Sequence, residues 1–208
     1  MRIGIDFDNT IAGYDRIFHD AAVEQGLVPE GALISKKAIR NAIRKGPDGE
    51  LKWQRLQGYV YGAGMPRAEL IAGVAKFIAA CREAEIPLYI VSHKTIYGHH
   101  DPKQINLRTA ATEWMRGNGF FDAKGLGFSS DQVFFEGTRR DKINRIMQLK
   151  CTHFIDDLEE IFSDPEFPTS TEGLLFTGAQ SPLPVGSFSA FGSWAEIKNH
   201  VFTSPNSR

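Results

Sequence analysis

The stretch Asp6-Phe7-Asp8-Asn9-Thr10 places two carboxylates at the end of an apolar run that begins at Ile3. Carboxylates ordinarily stay in water, so two at a strand tip call for solvent or a cation. Asp and Asn also end strands simply as turn residues, so the pair needs partners before it means anything. The chain supplies them at the ends of other apolar runs. Ser92 closes "IPLYIVS" (86–92), Asp156 and Asp157 close "THFIDD" (152–157), and Lys142 ends "GTRRDK" (137–142). Four acids, one hydroxyl and one ammonium on one sheet edge would hold a hard divalent cation, Mg2+, beside a phosphate. Carboxylate oxygens would serve the cation, and the ammonium and hydroxyl would serve the phosphoryl oxygens.

Such residues meet only if the elements carrying them share an edge. Five short apolar runs, 3–7, 86–92, 132–137, 152–157 and 173–178, read as strands buried on both faces of a parallel sheet. Helical spacing fills the gaps. One helix takes in Leu70, Ile71, Val74, Phe77, Ile78 and Cys81 after Pro66, and another starts at Asp101-Pro102 and stops at Gly117 or Gly119. A third runs from Asp141 to Leu149, and Ser193 with Glu196 forms a capping box for a last one. The stretch 181–193 reads as loop and 203–208 as a frayed tail. Alternating strands and helices predict a doubly wound, mostly parallel, five-stranded Rossmann-like α/β domain whose ligands lie beyond the carboxyl ends of the strands. Between Gly13 and Gly64 there are three helical patterns and no strand, which predicts a small helical cap at 14–64 inserted into a core made of 1–13 and 65–208.

Bulk properties set the limits. The 208 residues, 42% hydrophobic and 24% charged, suit one substantial core with a small addition. With 24 basic against 25 acidic residues the formal charge is −1, so there is no global pull toward nucleic acid or an anionic membrane. No apolar stretch approaches the ~18 residues of a spanning helix, and Asp6 and Asp8 interrupt any signal-peptide layout. Cys81 and Cys151 stand alone in apolar runs and read as reduced packing residues, which places the chain in the cytoplasm.

The ordered set of motifs resembles the haloacid dehalogenase-like (HAD) superfamily of phosphohydrolases. Asp6 to Thr10 matches its Asp-x-Asp-x-Thr motif, Ser92 its second, Lys142 its third and Asp156-Asp157 its fourth; the likeness extends from Met1 to Gly178. It implies that Asp6 is the nucleophile forming an aspartyl-phosphate and that Asp8 passes a proton to the leaving alkoxide. It also implies that Mg2+ is held by Asp6, the Asp8 carbonyl and Asp156, with Asp157 direct or through water. Ser92 and Lys142 would hold the phosphoryl group, with Thr10 beside it. Asp8 favours phosphomonoester chemistry, because dehalogenating members lack that second acid. Arg139 and Arg140 compete with Lys142 for the third-motif role.

The same resemblance implies a phosphatase of a small phosphorylated metabolite. A phosphomutase, a phosphatase of polynucleotide ends and a silent binding protein are the alternatives. The core residues all address phosphorus, so recognition of the leaving group is expected from Arg44, Lys52, Trp53 and Arg55 in the cap and from His93 and Lys94 after the second strand. The run 36–45, with five basic residues and no acid, presents Lys36, Arg40 and Arg44 on one helical face. It reads either as a solvated surface or as a face toward an anionic substrate.

Overall fold

The computed structural model describes residues 1–101, 103–178 and 184–203. Pro102 as a first helical residue, loop 181–183 and the tail at 204–208 lie outside the described residues. Six strands form one parallel sheet: β1 (Ile3–Ile5), β4 (Leu88–His93), β5 (Val133–Glu136), β6 (His153–Asp156), β7 (Glu172–Phe176) and β8 (Ser189–Phe191). Their order is β5-β4-β1-β6-β7-β8. Every pairing in it is parallel. Among the described residues the expected five strands are thus six. The extra one, β8, sits at an edge and is only three residues long, too short to show a pattern inside a Pro-, Gly- and Ser-rich stretch. A separate two-stranded sheet pairs β2 (Ala12–Gly13) with β3 (Glu69–Leu70).

Both faces of the large sheet are covered, which is why its strands read as unbroken apolar runs. Helix α6 (Arg139–Gln148) and the short α7 (Glu159–Phe162) supply Ile146, Ile161 and Phe162 to a core with Val91, Phe154 and Leu175. Helices α4 (Val74–Glu83) and α8 (Trp194–Thr203) supply Phe77 and Trp194, whose rings are 5.1 Å apart; Trp194 also meets Phe176 at 5.9 Å. Gly4 is required in β1, because a Cβ there would stand 2.6 Å from the Phe154 ring.

Helix ends shift from their expected places for identifiable reasons. The expected helix from Leu70 starts at Val74, because Leu70 is taken by β3 and Gly73 adopts a φ of +96°. Helix α5 (Leu107–Gly117) starts five residues beyond the expected Pro102: Asn106 is its cap, accepting from the amides of Arg108 and Thr109. Asp101 instead accepts from the amides of Lys103 and Ile105, closing a turn. Helix α6 begins at Arg139 under a Thr138 cap, ahead of the expected Asp141. The Ser193–Glu196 capping box forms in both directions at 3.3 and 3.2 Å.

The chain divides into two compact units. One holds Met1–Ile11, Leu70–His93 and the chain from Gly119 onward; the other holds Ala12–Glu69 and Lys94–Asn118. Helices α1 (Asp15–Glu24), α2 (Lys36–Arg44), α3 (Gly49–Tyr61) and α5 make up the second unit. The segment 14–64 falls wholly inside it, and Lys94–Asn118 joins it from a distant part of the sequence. A glycine contact makes that junction: a Cβ on Gly98 would lie 2.6 Å from the Gly58 Cα of α3. Around it Phe18 stacks on Trp53 at 5.0 Å, Tyr14 and Phe18 meet the edge of Tyr61, and Trp114 Nε1 donates to the Ala68 carbonyl.

Candidate active site

Parallel register brings the first two carboxylates together. Ile5 of β1 lies opposite Ile155 of β6, so the residues that follow, Asp6 just past β1 and Asp156 at the end of β6, come side by side. The Asp6 amide extends the ladder by donating to the Ile155 carbonyl at 2.8 Å. Helix α6 follows β5, and Thr138 caps it by accepting from the Asp141 amide. That start sets the phase that turns Lys142, with Ile143 and Ile146, to the buried side. Lys142 Nζ donates to Asp6 Oδ1 and to Asp156 Oδ2, each at 2.6 Å. All three side chains are buried. It is Lys142 that reaches the carboxylates: Arg140 is exposed and pairs with Glu166, and Arg139 lines a surface cavity of about 610 Å³ with Asp157, Glu159 and Glu160.

Asp6, Asp156 and Asp157 each offer an oxygen, and the three oxygens lie within 4.8 Å of one another. Asp156 Oδ1 also accepts from the Leu158 amide at 3.0 Å. Burial works against the charge on Lys142, yet Asp156 and Asp6 overcome it and hold its pKa above the usual lysine range. Burial pushes the Asp156 carboxyl above the usual carboxylate range; Lys142 pulls it down and Asp6 adds to the rise. One ammonium shared by the two buried carboxylates Asp6 and Asp156 leaves negative charge in a dry place, where it is costly without a further cation. The donor set therefore fits a hard divalent ion with oxygen ligands.

Two hydroxyls add to the fit. Ser92 Oγ, near the carboxyl end of β4, and Thr10 Oγ1 are buried and make no hydrogen bond within the protein. An unmatched buried hydroxyl costs about 1–3 kcal/mol, a cost that a bound oxyanion would remove. Thr10 is held from behind by Trp194 Nε1, which donates to its carbonyl at 3.1 Å. Within the same loop Asn9 adopts a φ of +60° and the Ile11 amide donates to Phe7. Asp8 is half-buried. His93 ends β4, exposed, with its Nε2 3.1 Å from the Gly137 carbonyl.

The other expected recognition residues belong to the helical unit and separate there. Trp53 is 2% exposed and stacks on Phe18, so its ring packs that unit's core and offers no face to a ligand. Arg44 is paired with Glu50 at 2.6 Å on the surface. Lys52 and Arg55 are exposed. Lys94 is 4% exposed, with its ammonium 5.0 Å from the Tyr61 ring centre. Sequence reading passed over Trp194 and Leu158, which brace the carboxylate loops; their backbone-directed contacts span fold distances that no local pattern encodes. A second cavity, about 720 Å³, lies at the opposite ends of the strands, where His153, Glu172 and Ser189 begin β6, β7 and β8.

No protein-family model matches the sequence, and no curated protein matches it. Solved structures do. A HAD family hydrolase from Deinococcus radiodurans R1, with bound phosphate and sodium, superposes with a TM-score of 0.59 at 17% identity, covering 96% of this chain and 94% of that one. Protein Tyrosine Kinase A of Mycobacterium tuberculosis gives 0.64 at 14% identity, covering 96% of both chains. A predicted phosphoglycolate phosphatase from Haemophilus somnus 129PT gives 0.53 at 15%, covering 94% of this chain and 95% of that one. The likeness is one of fold: the chain has a HAD-like, Rossmann-type architecture.

Proposed function

We propose that the chain is a divalent-cation-dependent phosphatase that hydrolyses the phosphomonoester of a small molecule through an aspartyl-phosphate on Asp6. The observation carrying this reading is the buried Asp6–Lys142–Asp156 triad, with Asp157 beside it and two unmatched hydroxyls, Ser92 and Thr10, nearby in the fold. An ion pair kept only for stability has no use for a third carboxylate and two hydroxyls without partners.

Asp6 Oδ2, the oxygen not bonded to Lys142, attacks phosphorus, and the bond to the leaving alkoxide breaks. Asp8 gives that alkoxide a proton, then takes one from the water that opens the aspartyl-phosphate. Lys142 donates to Asp6 Oδ1 and holds the carboxylate aimed while two anions approach each other. Ser92 and Thr10 donate to phosphoryl oxygens. Asp6, Asp156 and Asp157, with the Asp8 carbonyl, would hold Mg2+, whose charge would offset the repulsion between carboxylate and phosphate. An Asp at position 8 supports alkoxide leaving groups over halide.

Phosphate release from a panel of sugar phosphates, nucleoside monophosphates and phosphorylated amino alcohols tests the reading. Activity that EDTA silences and Mg2+ restores is expected; turnover unaffected by chelation would refute it.

A further inference from the structure

The indole of Trp194 ties the last helix to the loop that follows the first strand. Ser193 and Glu196 fix the start of α8 by accepting from each other's amides, and the Gly192 amide donates to the same Glu196 carboxylate at 2.7 Å. Trp194 is thereby held at the first position of the helix, its ring in contact with those of Phe77 and Phe176. Gly73 makes room for it, since a Cβ there would stand 2.7 Å from the Trp194 Cβ. A buried indole N–H seeks an acceptor, and this one donates to the Thr10 carbonyl, 184 positions away in the chain. All of these residues belong to one compact unit. Ring packing asks only for an aromatic side chain; what the indole adds is a donor. That donor meets the backbone of the very residue whose own hydroxyl is buried and unmatched. Asn9 turns the loop at a φ of +60°, the Ile11 amide closes it on Phe7, and the indole bond fixes the peptide that follows Thr10. Threonine is β-branched and stiff at χ1, so a fixed backbone leaves its hydroxyl few directions.

We propose that Trp194 is a positioning residue of the candidate active site: through the Thr10 peptide it holds the Thr10 hydroxyl where a phosphoryl oxygen can accept from it. The role rests on the phosphatase reading of that site. It makes the start of α8, which lies outside every motif of the sequence, a determinant of phosphate affinity.

The test is a double-mutant cycle read by calorimetric titration of the full-length chain with inorganic phosphate in the presence of Mg2+. Thr10→Val should weaken binding about tenfold, the size of one hydrogen bond to a charged group. Trp194→Phe removes the donor and keeps an aromatic ring. It should weaken binding about fivefold on its own and less than about twofold on top of Thr10→Val, because the hydroxyl that it positions is then gone. Ile197→Val loosens the buried face of α8 without touching the indole and should leave affinity unchanged. No loss in Trp194→Phe, an equal loss in both backgrounds, or as large a loss in Ile197→Val would overturn the role and leave Trp194 a core residue. If Trp194→Phe fails to fold, wild type carrying isotope-labelled tryptophan decides: the Trp194 indole N–H resonance should shift when phosphate binds, and an unmoved resonance would overturn the proposal. A wild type that binds no phosphate would overturn it as well. Hydrolysis separates the two readings. The predicted cycle in a chain that hydrolyses no phosphomonoester would refute the phosphatase and keep the positioning role. An additive cycle in a chain that does hydrolyse one would refute the role and keep the phosphatase.

Discussion

Lys142 is the ammonium between two buried carboxylates, and its removal should be felt before any chemistry is assayed. Lys142→Met keeps the volume of the stem and leaves Asp6 and Asp156 facing each other without the ammonium. Stripping one partner from a buried ion pair costs about 3–5 kcal/mol, so urea unfolding should report a loss of that size, part of which added Mg2+ recovers. A loss of only ~0–1 kcal/mol, the scale of exposed pairs, would contradict the buried triad. The two cysteines make a second prediction at this scale. Burial pushes the thiol pKa of Cys81 up to about 12 and that of Cys151 up to about 11. A thiol needs its thiolate to react, so a disulfide reagent at pH 8 should titrate neither in the native protein and both in denaturant. Rapid native labelling would contradict their burial.

At the scale of elements, α5 offers the sharpest check, because sequence and structure place its start differently. Asn106→Ala removes the side chain that accepts two amides and should cost about 1 kcal/mol, read as a fall in the urea midpoint. The other strands and helices were readable because burial on both sheet faces or on one helix face leaves a periodic trace: β1, β4, β5, β6 and β7 all lie within a residue or two of their apolar runs. The trace fails where contacts, not periodicity, decide. β8 is three residues at an edge. The Gly58–Gly98 approach that draws 94–118 into the helical unit leaves no pattern, since glycine is equally a turn residue. The candidate site was more legible than these details, because each of its residues ends or follows a recognisable strand. Register and helix phase then account for Asp6 beside Asp156 and for Lys142 over Arg139 or Arg140. Trp53 misled in an instructive way, as an aromatic residue between two cations reads as a stacking platform until its burial is known.

For the whole molecule, pH dependence follows from a cluster far from the carboxylates. His153 Nε2 lies 3.4 Å from Glu172, and His200 Nε2 lies 2.6 Å from the same carboxylate. Burial lowers the His153 pKa from 6.5 more than Glu172 raises it, and His200 and the chain amine lower it further. On acidification the unfolded chain therefore takes up this proton first, at about pH 6.5, and stability falls until the lower folded pKa is passed. His153→Gln should flatten the fall of stability just below pH 6.5 relative to wild type; an unchanged slope would show that His153 titrates normally. His19, raised by its hydrogen bond to Asp20, acts in the reverse sense, stabilising below pH 6.5.

The central claim is that phosphorus passes through a bond to one carboxylate, and acid-quenched labelling reads that bond directly. Wild-type protein mixed with Mg2+ and a radiolabelled phosphomonoester that it hydrolyses, quenched within one turnover and digested, should carry the label on the peptide containing Asp6. Asp6→Asn should carry none and release no phosphate while unfolding as cooperatively as wild type. Label on any other residue, or undiminished phosphate release by Asp6→Asn, would contradict the account.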